Sequence, residues 1–195
     1  QPVNGVFELT ERCSLSCRLE NFAAWNSIAL PAAGMQAIPE QMARRLPDGT
    51  IRLGARVAAV SAREVRLASG ETLAAEHVVV ATEGPEAARL AGVPAPGSRP
   101  VTCLYFAAER PPVREPILAL DGDGAGPVNN LCVPSQVAPS YAPKGAALVS
   151  ASVVGGAASD AGDPALEAAV RKQLEGWFGA GVRGWRHLRT VHVRH

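Results

Sequence analysis

Between residues 30 and 90 the chain carries an order of local signals that few folds accommodate. A glycine–methionine turn leads to a short helix, then to a series of strand signals with tight turns, a nearly continuous apolar run and a second helix. Residues 30–34 form the loop ending in Gly34-Met35. Pro39 suits the first turn of a helix, where its missing N–H is no loss. That helix is expected to reach Leu46, to bury Ile38, Met42 and Leu46 (or Ala43), and to stop before Pro47, because a residue preceding proline is pushed out of helical geometry. Residues 50–53 and 56–61 read as two strands broken at Gly54. Residues 64–68 and 71–74 read as a hairpin over Ser69-Gly70. HVVVA at 77–81 has the composition of a strand buried on both faces of a sheet. Thr82-Glu83-Gly84 then turns the chain into a helix over 85–91 that Gly92 ends.

The stretch VPAPGSRP at 93–100 is rich in proline and glycine and reads as a linker. It divides the chain into a first part, 1–92, and a second part, 99–195. Within the first, Thr10 could cap a helix over 11–25 with Leu15, Leu19 and Phe22 on one face. In the second, 101–109, 116–121 and 146–154 read as strands, and 134–145 is irregular. Asp163-Pro164 opens a helix through 178 with Leu166, Val170, Leu174 and Phe178 on one face. Residues 185–193 alternate as a last strand. The order β-β-β-α-β suits a mixed sheet with helices on one face.

Composition narrows the function classes. Of 195 residues, 47% are hydrophobic and 19% charged, which is the balance of a chain that folds around a core. The formal net charge is +1 with no basic stripe or acidic tail, so a nucleic-acid partner is not expected. No run of eighteen apolar residues is present and no secretory signal is visible, so no transmembrane segment is expected and the expected location is cytoplasmic.

The four cysteines do not make a metal site. Cys13 and Cys17 would share a helix face, but no second pair of ligands accompanies them, and Cys103 and Cys132 sit apart in apolar surroundings. Asp121-Gly122-Asp123-Gly124 lacks the remaining ligands of a calcium loop, and Cys132 stands where the closing glutamate would be. His187, His192 and His195 cluster at the end. Strict alternation puts His187 and His195 on one face and His192 on the other, as on an ordinary polar strand. Ser135 and Ser140 have no evident base near them. No metal site is expected and no catalytic acid or base is identified.

The residues Gly34-Met35, Ile38-Pro39 and Met42-Ala43, the strand around Arg56-Val57, Thr82-Glu83-Gly84-Pro85 and the later run 127–135 (PVNNLCVPS) occur in a recognisable order. In this the chain resembles the superfamily of flavin-containing amine oxidases, protoporphyrinogen oxidases and phytoene desaturases, most closely its phytoene desaturase and carotenoid isomerase-like branch. The resemblance covers about residues 30–190. It implies that Val57, with Arg56 beside it, offers its backbone to the adenine of FAD, and that Thr82 lies at a strand end close to the cofactor. It implies an α+β or α/β architecture: part of an FAD/NAD(P)-binding fold over 1–92, and a mixed-sheet substrate-binding domain over 99–195 with its long helix at 163–178.

The family opens with a GxGxxG loop that binds the FAD pyrophosphate, and it closes with a further FAD segment; neither pattern occurs here. The chain is therefore expected to be a fragment of an FAD-dependent oxidoreductase, with weak or absent FAD binding on its own. In such enzymes the flavin accepts a hydride from an amine-type or apolar small molecule. If the half lines a substrate cavity, Tyr105 is a candidate for its wall. The alternative is a non-catalytic apolar-ligand-binding or assembly module that no longer binds FAD alone. Self-association through an exposed sheet edge, giving homo-oligomers, is also expected.

Overall fold

The structure, a computed structural model, describes residues 7–10, 27–97, 99–155 and 162–193. By contacts the chain divides into a larger unit, residues 1–41 with 100–194, and a smaller one, residues 42–99. The helix expected over 11–25, with Cys13 and Cys17, lies outside the described residues, as does His195.

The larger unit is a seven-stranded mixed sheet. Its strands are β1 (Phe7–Thr10), β2 (Ser27–Ala29), β6 (Val101–Ala108), β7 (Ile117–Leu120), β8 (Val128–Cys132), β9 (Ala147–Val154) and β10 (Arg186–Val193). They run in the order β10-β6-β9-β8-β7-β1-β2. β1 and β2 pair in parallel and the other pairings are antiparallel. The smaller unit carries a three-stranded antiparallel sheet, β3 (Val57–Val60), β4 (Glu64–Leu67) and β5 (Thr72–Ala74), in that order. The architecture is mixed α+β, as the sequence implies.

Alternation builds the larger unit. Along β6 and β9 every second side chain is buried, and these residues form the core: Leu104, Phe106, Val149 and Ala151 are fully enclosed. The long helix Gly162–Phe178 covers them. Its Leu166, Val170 and Leu174 are buried at the spacing the sequence predicts, and belong to the same apolar cluster. Each such side chain contributes about 1.5–3 kcal/mol by leaving water. Arg171 fastens the helix end. Its guanidinium donates to the carbonyls of Val182 (3.1 Å) and Trp185 (2.9 Å) and to Glu167 (2.8 Å), and it lies 4.9 Å from the Phe106 ring centroid. These carbonyls belong to the 3-10 turn Ala180–Gly184 and the start of β10, so one side chain sets the path from helix to strand.

β8 has no counterpart in the sequence reading. Asn129 and Asn130 are poor strand formers; the strand exists because β7 and β9 pair with it on both sides, with Asn129 an extra residue that the pairing with β9 skips. Gln173 of the long helix reinforces its start. The amide accepts from the Val128 N–H (2.7 Å) and donates to the Val128 carbonyl (3.1 Å). A Cβ at Gly126 would meet that glutamine, so a larger residue there would displace its side chain from Val128. Next come a short helix, Pro134–Val137, and the 3-10 turn Pro139–Tyr141, where Tyr141 donates to the Pro31 carbonyl at 3.0 Å.

β10 departs from strict alternation. Its register against β6 shifts between His187 and Arg189, an extra residue at Leu188. The bulge reverses parity, so His187 and His192 both face the helix. His187 reaches Glu167 (3.3 Å), and His192 reaches Asp163 (2.8 Å) and Thr102 (3.0 Å). These histidines therefore work as bridges between the edge strand and the helix.

Three expectations for residues 37–81 fail, the first being the strand over 50–53: no strand forms there, and Leu53 is 89% exposed. The first helix, α1, is Ala37–Ala43 and does not bury the expected face: Met42 and Leu46 are 56% and 47% exposed. Beyond Ala43 the chain tightens, with Arg45 and Leu46 donating to Met42 and Ala43 three residues back, which rotates Leu46 off that face. Residues 77–81 are not a strand, and Val79 is 87% exposed. A strand is made by its neighbours, and the three-stranded sheet places none beside this run. The hairpin over Ser69-Gly70 and the helix α2 (Gly84–Ala91) follow the sequence. Gly92 ends α2 at φ +68° with its N–H on the Ala88 carbonyl.

Replacing Leu174 by alanine is expected to lower stability by about 2–5 kcal/mol, since the site is fully enclosed and cannot collapse freely. Urea unfolding followed by tryptophan fluorescence measures it; a loss under about 1 kcal/mol would contradict the packing described.

Candidate functional site

In the smaller unit, Val57 opens β3, an outer strand of its sheet, with Arg56 just before it. Arg56 is exposed, with its carbonyl accepting from the Ala68 N–H at 2.8 Å; Val57 is half-buried and faces Leu67. A cleft of about 440 Å³ belongs to the larger unit, between Phe178, Trp185 and Arg110. A smaller cleft, about 270 Å³, runs along Arg52, Leu53, Arg56 and Ser69. Arg52 is engaged by Glu71 in a two-pronged pair (2.7 and 2.5 Å), and its hydrogen bond holds the Glu71 carboxyl below its usual range.

Thr82 is exposed and donates only to the neighbouring Glu83 carbonyl, at 3.4 Å. It reaches the Val57 region indirectly, through the helix it precedes. Arg89 of α2 donates to the carbonyls of Ala58 (3.0 Å) and Val57 (3.2 Å). Glu86, one turn earlier, accepts from the same guanidinium (2.7 and 2.5 Å). The hydrogen bond from Arg89 lowers the Glu86 carboxyl pKa, so the pair persists above the ordinary carboxylate range and is lost only as pH falls below it. The sequence shows Glu86 and Arg89 as a helix-surface pair and nothing more; the contact with β3 spans 32 positions.

In the larger unit the sheet face turned away from the long helix is the second candidate. Register places Arg189, Tyr105, Ser150, Cys132 and Leu118 in one row across five strands, with Val191, Cys103, Ser152, Asn130 and Leu120 in the next. Cys103 Sγ lies 3.7 Å from Ser152 Oγ. None of β6, β7, β8 and β9 contains a charged residue. The face presents hydroxyls, thiols and an amide, half-buried, with the guanidiniums of Arg186 and Arg189 at its edge strand. A sheet face open to bulk water ordinarily carries lysine, glutamate and arginine. Away from that edge strand, this one has the chemistry of a cavity wall: neutral, able to hydrogen-bond, with apolar side chains between.

Tyr105, singled out from sequence, sits at the centre of this face. Burial raises its phenol pKa, and the Cys103 thiol adds to the shift. Burial likewise pushes the Cys132 thiol up to about 11. Both groups are therefore neutral hydrogen-bonding partners near neutral pH, and neither is a nucleophile. The sequence signal for the face is faint: small polar residues at every second position, Cys103-Tyr105 and Ser150-Ser152.

Alkylation of Cys132 by iodoacetamide, followed by peptide mass spectrometry, is expected to be slow at pH 8 and to accelerate only as pH approaches about 11. An unfolded thiol ionises nearer 9, so the contribution of this thiol to stability is intact below 9 and is lost as pH rises toward 11. A reaction midpoint near 9 would contradict its burial.

Comparison with known proteins bears on both regions. A family model described as flavin containing amine oxidoreductase matches residues 3–193. No match was found among curated proteins. Among solved structures, the chain superposes on an Exiguobacterium sp. 255-15 protein provisionally named a protoporphyrinogen oxidase. The TM-score is 0.64 at 16% identity, over 83% of this chain and 38% of that one. A reduced UDP-galactopyranose mutase gives 0.63 at 13% identity, over 82% and 38%. A Pyrococcus furiosus protein gives 0.54 at 14%, over 72% and 37%. At such identities the likeness is one of fold. The chain spans under two-fifths of the length of these solved chains. With nearly its whole length matched by the family model, the chain belongs to the flavin-containing amine oxidoreductase family.

Proposed function

We propose that this chain is the substrate-binding half, with part of the FAD-binding portion, of an FAD-dependent oxidoreductase acting on a small amine-type or apolar molecule. The observation that carries the reading is the half-buried patch around Tyr105, Ser150 and Cys132, on strands β6, β8 and β9 that contain no charged residue, with Arg186 and Arg189 only at the edge strand. A flavin, when bound, supplies the redox step by accepting a hydride from the substrate; the protein supplies position and a dry surface. A neutral wall suits that task. It orients a substrate by hydrogen bonds while introducing no fixed charge that would hold water in the cavity.

The smaller unit fits the adenine end of the cofactor. Val57 lies on an outer strand, and a carbonyl has two lone pairs, of which Arg89 engages one. Arg56 and the cleft beside it adjoin that strand. Val57 and Arg56 would hold the adenine side, with Thr82 near the cofactor at the entry to α2. The division of the chain near residues 92–99 goes with this reading: adenine contacts before it, substrate wall after it. The phytoene desaturase-like motifs around Gly34-Met35 and residues 127–135 support a substrate of largely apolar body.

The full protein, purified without added cofactor, is expected to be yellow, with a flavin absorbance band at about 450 nm. A colourless protein that remains colourless after incubation with FAD would reverse the conclusion in favour of a binding or assembly module.

A further inference from the structure

The pairing of β3 with β4 skips a residue. Val57 faces Leu67 and Ala59 faces Arg66, so Ala58 is an extra residue in the outer strand. In a regular strand successive carbonyls point to opposite sides, and one planar group cannot collect both. Here one does. The Arg89 guanidinium takes the carbonyls of Ala58 at 3.0 Å and Val57 at 3.2 Å, while its Nε and Nη2 are held by Glu86 at 2.7 and 2.5 Å. The bulge turns the two carbonyls together, and the rigid guanidinium fork fixes them so.

We infer that Arg89 is a positioning residue for nucleotide binding: it holds the Val57–Ala58 bulge in the one geometry in which Val57 can meet an adenine ring, and ties that strand to the helix that follows Thr82. This rests on the reading of Val57 as the adenine contact. The role is one of direction more than stability. Arg89 and Glu86 are 49% and 46% exposed, and exposed ion pairs contribute little to folding. A bulge whose carbonyls lose their shared donor can relax into regular pairing, which turns the Val57 carbonyl away. Lysine cannot replace arginine here, because a single ammonium on a flexible stem does not present two fixed donors.

The test is ADP and FAD binding to the full protein by isothermal titration calorimetry, in wild type, Arg89→Ala, Arg89→Lys and Glu86→Gln. Arg89→Ala is expected to weaken ADP binding about tenfold, the loss of one well-placed hydrogen bond, with the urea midpoint little changed. Arg89→Lys is expected to behave as Arg89→Ala, and Glu86→Gln to weaken binding by about threefold. Added methylguanidinium is expected to restore ADP affinity to Arg89→Ala, which a merely structural role would not produce. If wild type binds ADP and Arg89→Ala binds it equally well, the role of Arg89 is overturned while Val57 stands. If wild type binds neither ADP nor FAD, the adenine reading falls and takes the inference with it. If Arg89→Ala loses binding along with its urea midpoint and methylguanidinium restores nothing, Arg89 is scaffold and the inference fails.

Discussion

The larger unit depends on one packing contact, the apolar stripe of the long helix against the alternate residues of β6, β8 and β9. Leu166, Val170 and Leu174 meet Leu104, Phe106, Leu131 and Val149 with water excluded on both sides. Because strand side chains alternate, committing one set to the helix commits the other set to the opposite face. Tyr105, Ser150 and Cys132 are where they are because Leu104, Phe106, Val149 and Leu131 are buried. The candidate substrate wall is thus a consequence of the core, held on rigid strands and set by register.

The same logic separates roles within β10. Its bulge at Leu188 lets His187 and His192 reach the helix carboxylates while Arg189 and Val191 stay on the open face. An edge strand that needed strict alternation could not do both. The smaller unit uses a bulge as well, at Ala58, where the extra residue presents two carbonyls to Arg89. In both sheets a one-residue irregularity decides which groups a surface presents.

Much of this was legible in the residues themselves. β6, β9, β10 and the long helix announce themselves by period, two for the strands and three to four for the helix, because their faces are unequally buried. The hairpin over Ser69-Gly70 follows from turn chemistry. What could not be read are features made by distant partners. β8 is a strand despite Asn129 and Asn130 because two neighbours pair with it. HVVVA reads as a strand, yet Val79 stands exposed, and no strand among the described residues pairs with it. The bulges at Leu188 and Ala58 have no local signature, so the facing of His187 and the grip of Arg89 on β3 are invisible in one dimension. Of the candidate site, Tyr105 could be marked from its long strand. Its row partners Ser150 and Cys132 lie 45 and 27 positions away, and register alone brings them beside it.

The central claim is that the neutral face of the seven-stranded sheet walls a substrate cavity. A crystal structure of the flavin-loaded full protein with a slowly turned-over substrate analogue tests it most directly. The expected result is the analogue within hydrogen-bonding distance of the Tyr105 or Ser150 hydroxyl, with Cys132 beside it. An analogue bound elsewhere, with this face open to bulk water or covered by another protein surface, would contradict the account.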